Sequence, residues 1–179
     1  ILDRRAIEAK RQAQATGPAL PPARTAGCVD EMAASPAAGA LAAQKALDRA
    51  SGEERVRAGL CLGVALGAMD RWTEAQTAFL RARDAAAPTD SASRARLGAM
   101  AGNAALAGGS AGGALPILDA AQVDAKAAQD TVLLGTIAAD RARSYMKLGE
   151  SEKAAAALSE GRVAAPDSAQ VWLLSATLA

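Results

Sequence analysis

The chain of 179 residues has no histidine, two cysteines and only four aromatic side chains, Trp72, Phe79, Tyr145 and Trp172. Without histidine there is no imidazole for proton transfer near neutrality, no catalytic triad with a histidine base and no histidine-ligated metal. Net charge is +1, from 20 basic and 19 acidic residues, so no strong field draws the chain toward nucleic acid. No stretch approaches the ~18–20 consecutive apolar residues of a membrane span. The longest apolar run, Gly59 to Met69, suits a buried helix. What the chain has in abundance is alanine, 51 residues by count, together with 16 glycines. Alanine favours helix, and strand-forming residues are few, so an all-α fold is expected.

Turn signals divide the chain. Leu2 to Ala15 is charged and compatible with helix, but its apolar stripe is thin. Gly17-Pro18-Ala19-Leu20-Pro21-Pro22 breaks it. Residues 1–23 are therefore expected to be an N-terminal arm and proline-rich linker, and 24–179 a helical domain. Thr25 to Ala34 reads as a short helix. Ser35-Pro36 reads as an N-cap followed by proline at the first helical position, opening a helix to about Ala50. Further helices are expected over Glu53–Met69, Trp72–Ala87, Asp90 or Ser91 to Ala107, Ala111–Ala128, Asp130–Leu148 and Ser151–Ala164. A final apolar helix is expected over 168–179. Turns this short make neighbouring helices antiparallel. The chain starts at Ile1 without methionine, which reads as a processed product. Its apolar last helix reads as an edge that continues or meets another chain.

Three segments align on the alanine of each second helix. The first runs through Gly59, Gly63, Leu66, Ala75 and Phe79, the second through Gly98, Gly102, Ala105, Ala114 and Leu118. The third runs through Ala138, Ala142, Tyr145, Ala154 and Leu158. A small residue, a larger one three later, a turn, then alanine and a large residue recur in register. This pattern resembles the tetratricopeptide repeat, a helix–turn–helix unit, over roughly Val56 to Ala179. The spacing departs from that family's period of about 34 residues: Ala75, Ala114 and Ala154 lie 39 and 40 apart. The family's tryptophan position is small at Gly59, Gly98 and Ala138, and is filled again only by Trp172. The resemblance implies a right-handed α-α superhelix with units at about 53–89, 90–129 and 130–166. A degenerate unit at 24–52, with Ala42 at the alanine position, would precede them.

Several motifs are better read structurally. Gly108-Gly109-Ser110-Ala111-Gly112 has the G-x-S-x-G pattern, but no strand precedes it and no histidine exists, so an interhelical turn is expected. No Gly-Lys-Ser/Thr follows for a phosphate loop. Gly59, Gly63 and Gly67 lie on one helical face, where close packing explains them better than a membrane dimer motif. Asp119, Asp124, Asp130 and Asp140 lie on alternate helix faces with Lys or Arg nearby, and most of them read as caps or solvated charges. No constellation supports an enzyme, and no cofactor or metal is expected. Cys28 and Cys61 are 33 residues apart, near one repeat, so an interhelical disulfide is one reading and two separately buried thiols the other. A disulfide would place the chain in an oxidising compartment. The alanine-rich style resembles alphaproteobacterial envelope repeat proteins, which implies the periplasm, with the cytoplasm as the alternative.

The family resemblance also implies a concave groove lined by first helices, where a partner protein or peptide binds. Carried onto this sequence, it gives Arg57, Leu60 and Val64, then Arg96, Asn103 and Leu106, then Arg143, Met146 and Lys147. The set is mildly basic and would suit an extended or helical peptide bearing an acidic group. The expected function is thus a non-catalytic protein–protein interaction scaffold. The alternative is self-association into a homodimer through Val171, Trp172, Leu173 and Leu174 of the last helix.

Overall fold

Alanine-rich segments cut by glycine, proline and capping residues fold as the spacing predicts. The computed structural model describes residues 35–178. The expected arm, the Thr25–Ala34 helix and Cys28 lie outside the described residues. The described residues form eight helices, α1 (Pro36–Leu47), α2 (Gly52–Gly67), α3 (Trp72–Ala85), α4 (Ser91–Ala107), α5 (Ala111–Ala127), α6 (Thr131–Lys147), α7 (Ser151–Ala164) and α8 (Ala169–Leu178), and no strand. The all-α expectation holds.

Local chemistry sets the ends. Ser35 Oγ accepts from the Ala38 amide at 3.0 Å, with Pro36 in the first turn. Asp90 Oδ1 accepts from the Ser93 amide at 3.0 Å and Asp130 Oδ1 from the Leu133 amide at 2.9 Å. These side chains satisfy amides that the first helical turn leaves unbonded. Inside each hairpin the chain reverses through one left-handed residue: Asp70, Gly109 or Gly149, at φ 57°, 86° and 77°. The same bond closes each reversal. The amides of Arg71, Ser110 and Glu150 donate to the carbonyls of Leu66, Ala105 and Tyr145 at 3.0, 2.8 and 2.9 Å. Gly109 belongs to the G-x-S-x-G sequence, which is thus an interhelical turn. One boundary differs from expectation: α1 ends at Leu47, and Gly52 opens α2 rather than closing α1.

Consecutive helices pack on each other throughout the described residues, so α2/α3, α4/α5 and α6/α7 are hairpins stacked in order. In addition α4 touches α6 and α6 touches α8, bringing first helices of successive hairpins side by side. The core is a row of three apolar clusters made largely of alanine, with Phe79, Leu118 and Leu158 as the large buried members of the second helices.

Glycine decides how closely each hairpin closes. A Cβ on Gly59 would lie 2.8 Å from that of Ala82, and one on Gly98 would lie 3.0 Å from that of Ala121. In the third hairpin the roles reverse: a Cβ on Gly161 of α7 would lie 2.7 Å from that of Ala138. One turn along, the Phe79 ring fills the space a Gly63 side chain would need, and Leu118 does the same at Gly102. Small residues of the first helix against large residues of the second are therefore the contacts that form in the first two hairpins.

Helix α1 continues the pattern on its buried face of Gly39, Ala40, Ala43 and Leu47. Ala43, buried on this face, lies 39 residues before Ala82, whereas Ala42, expected at the alanine position of a preceding unit, is half-buried. By the same offset Ala40 stands where Phe79 stands. A cavity of about 460 Å3 lies between α1, α2 and α3, bordered by Leu41, Leu62, Leu66 and Met69.

Candidate functional site

Stacking the first helices of the hairpins leaves a groove of about 400 Å3 across α2, the start of α3, α4 and α6. Val64 and Gly67 of α2, Trp72 and Phe79 of α3, Met100 of α4 and Leu133 of α6 give it apolar ground. Arg96 and Asn103 of α4, Thr136 and Asp140 of α6 supply its polar groups. Three of the sequence-predicted groove residues, Val64, Arg96 and Asn103, therefore line one common surface.

The others divide. Arg57 is exposed on α2, and Leu60 is half-buried against the first core cluster; neither lines the groove. Met146 and Lys147 are exposed at the end of α6, also outside it. Leu106 is a correction: it is buried in the second core cluster, because this part of α4 is covered by neighbouring helices, and it offers no groove surface. Arg143 is tied into a polar row instead of standing free.

That row centres on Asp140, which is 2 % exposed. Its Oδ2 accepts from Asn103 Nδ2 at 3.2 Å, and its Oδ1 accepts from Arg143 Nη1 at 2.7 Å. With its amide oxygen turned to the guanidinium, Gln170 of α8 accepts from Arg143 at 2.7 Å. One chain of hydrogen bonds thus crosses α4, α6 and α8 along their shared face. Asp140 overturns the reading of that carboxylate as a cap or solvated charge. Burial would oppose its charge, and paired donors on both oxygens offset that cost. Asp140 occupies the column of Cys61 and Met100 in the earlier hairpins, so its repeat position, facing the preceding first helix, was the available signal.

Asp119, Asp124 and Glu160 knit successive hairpins together. Asp124 pairs with Arg83 at 2.8 Å and Arg94 at 3.6 Å. Arg141 bridges Asp119 at 2.8 Å and Glu160 at 2.9 Å. Glu160 also accepts from Gln122 at 3.3 Å. Burial pushes the Glu160 carboxyl up, but the hydrogen bonds from Gln122 and Arg141 outweigh it and hold the group below its ordinary value. Only Asp130 is the helix cap expected of it. Arg96, in contrast, has no ion-pair partner among the described residues.

At the far end, Val171 is fully buried against Gly161 and so is removed from the expected self-association surface. Leu174 is half-buried against the third cluster. Trp172 and Leu173 are exposed, at 53 % and 69 %. Trp172 does not fill a core, as the family's tryptophan position would imply. Its indole N–H donates to the Pro166 carbonyl at 2.7 Å, and the Arg162 guanidinium lies 5.6 Å from its ring. Cys61 is half-buried on α2 beside the first cluster. Among the described residues no group of three or more Cys, Asp or Glu side chains is placed to hold a metal ion, and no helix is long and apolar enough to cross a membrane. The chain matches no protein-family model, no curated protein and no solved structure.

Proposed function

We propose that the chain is a non-catalytic interaction scaffold, a tetratricopeptide-like superhelix whose first-helix groove receives a segment of a partner protein. The observation that carries this reading is the 400 Å3 groove itself. It crosses three successive structural layers, has apolar ground, and keeps one unpaired cation, Arg96, at its edge. Open apolar grooves with a few placed polar groups are the usual form of peptide sites. The test is site-specific photocrosslinking in cells, with a photoreactive residue at Asn103 or at Val123, which is exposed on α5. A discrete adduct from Asn103 and none from Val123 supports the groove. Equal capture at both positions defeats it.

A second reading, self-association, draws support from the exposed Trp172 and Leu173 of α8. Light scattering across concentrations decides it, and a strict monomer removes it. The periplasm, and a Cys28–Cys61 disulfide that would close a loop worth about 3–4 kcal/mol in the chain-entropy model, belong to the same proposal. Intact mass with and without reductant tests the disulfide.

A further inference from the structure

Helix α8 is apolar on both of its faces. Its inner face, Val171, Leu174 and Leu178, packs in the third core cluster. Its outer face, Ala169, Trp172, Leu173 and Ala176, is exposed and has the i, i+3, i+4, i+7 spacing of a single helical stripe. No residue of α8 is charged. A helix that is apolar all round belongs in an interior, and stacked-hairpin proteins that end in water end on a polar surface.

The repeat says what kind of surface this is. Ile137 and Val171, both 0 % exposed, stand 34 residues apart, so α8 continues the register of α6. By that offset Trp172 follows Ala138, which is closed against Gly161 of the returning helix, and Leu173 follows Ala139, which is fully buried. Both positions are covered in α6 and open in α8.

The stripe also limits what can cover it. Read in either direction it runs small, large, large, small. A two-fold interface requires a surface that is its own complement. For antiparallel helices centred between residues 172 and 173, this stripe is one: Trp172 of each copy meets Leu173 of the other, and Ala169 meets Ala176. Its one polar group, the Trp172 indole N–H, is already given to the Pro166 carbonyl at 2.7 Å, so nothing polar remains to select a different partner. Identical copies bring identical charges, and an uncharged helix lets them approach without repulsion.

Resting on the self-association reading, we propose that two copies of this chain pair antiparallel through the outer stripe of α8, with Trp172 of each seated against Leu173 of the other. One helix face is a small patch, below the ~1,200 Å2 at which stable interfaces begin, so the dimer is a reversible one that forms with concentration.

The test is sedimentation equilibrium of the full chain and of its Trp172→Glu and Leu173→Lys variants, with helix content followed by circular dichroism. The chain should pass from monomer to dimer and go no further. Each variant should weaken pairing at least ten-fold, while Val163→Lys, on exposed α7 surface outside the stripe, should leave it unchanged. Mixing the two variants should restore pairing. The antiparallel two-fold sets the new glutamate of one copy against the new lysine of the other and keeps one Leu173–Trp172 contact. Should either variant lose helix, Ala176→Lys, at an exposed position, probes the same stripe. Pairing that is lost in both variants and not restored on mixing overturns the two-fold arrangement. Association that survives the variants, or that grows into longer oligomers, overturns the proposal and leaves the self-association reading standing. A strict monomer overturns both and leaves α8 to be covered by a different chain.

Discussion

The first and third hairpins solve one packing problem with opposite residues. In the first, glycine lies on the leading helix and alanine on the returning one, as Gly59 faces Ala82. In the third, alanine leads and glycine returns, as Ala138 faces Gly161. Each crossing holds one methyl group, and either helix can supply it. One turn along, the first hairpin sets Gly63 against the Phe79 ring, whereas the third places Ala142 and Leu158 in the same cluster. The extra methyl on one side accompanies a smaller side chain on the other. Yet leucine stands against Gly102 in the second hairpin and beside Ala142 in the third, so the sum varies there. At the first crossing the constraint is on the summed volume of a pair, as close packing requires. A column of residues compared down the repeats shows only half of it.

The largest expected effect follows from converting the first hairpin to the third. Gly63→Ala drives a methyl into the Phe79 ring inside the core and should cost about 1–3 kcal/mol, the range for overpacking. Adding Phe79→Leu should recover most of the loss, because the pair then matches Ala142 and Leu158. Chemical denaturation of the single and double variants measures this. The milder crossing behaves likewise. Gly59→Ala and Ala82→Gly should each lower stability, and the swapped pair should exceed the sum of the two singles by at least ~1 kcal/mol of coupling. Strict additivity at both crossings would show that the hairpins tolerate these volumes independently.

Polar content separates the hairpins next. The column of Cys61, Met100 and Asp140 is apolar until the third hairpin, where a buried carboxylate meets Asn103 and Arg143. Asp140→Ala should cost about 2 kcal/mol, from a lost charge-assisted bond and a small cavity. Asp140→Met, which installs the residue of the second hairpin, should cost less, since an apolar side chain of suitable size can replace a buried ion with little loss. Its remaining partners, Asn103 and Arg143, have access to water. A methionine variant weaker than the alanine one would mean that the polar row is needed for itself.

What was legible in the sequence follows the same division. Helix ends were readable because their causes are local: Ser35, Asp90 and Asp130 accept from amides three residues on, and Gly109 and Gly149 turn the chain where they stand. The repeat gave Val64, Arg96 and Asn103 a shared face. The role of Asp140 was signalled only by its repeat column, and the burial of Leu106 and Val171 and the exposure of Trp172 were not readable. Each depends on which neighbouring hairpin covers that position, and the three hairpins are not equally covered. Gly161 escaped notice for a related reason. Aligning on alanines hides a site where glycine has moved to the opposite helix.

Caps distinguish the hairpins by about 1 kcal/mol. The second and third begin at aspartates whose side chains bond the first turn, whereas Ser51 before α2 makes no such side-chain bond. The Ser93 hydrogen bonds, first to its side chain and then to its backbone, hold the Asp90 carboxyl below its ordinary value. A depressed carboxyl pKa contributes stability that is present above the unfolded value, about 3.9, and is lost as pH falls through the folded one. Asp90→Ala should cost about 1 kcal/mol at pH 7, with the gap from wild type closing below pH ~4. Asp90→Asn should keep the cap and flatten the pH dependence. A gap that persists at low pH would assign the effect to something other than the ionised cap.

The smallest effect concerns the reversals. Gly109 and Gly149 take up the left-handed conformation without penalty, whereas Asp70 does so in the first hairpin at φ 57°. For an L-residue with a β-carbon that conformation costs roughly 1–2 kcal/mol, less for aspartate, whose short polar side chain can bond locally. Asp70 is exposed, so little packing is lost on its removal. Asp70→Gly should therefore raise stability by about 0.5 kcal/mol, net of the extra freedom glycine brings to the unfolded chain. Gly149→Asp in the third hairpin should lower it by a similar amount. If both substitutions destabilise, the Asp70 side chain makes a contribution at its turn that the other two reversals lack, and the three turns are not interchangeable.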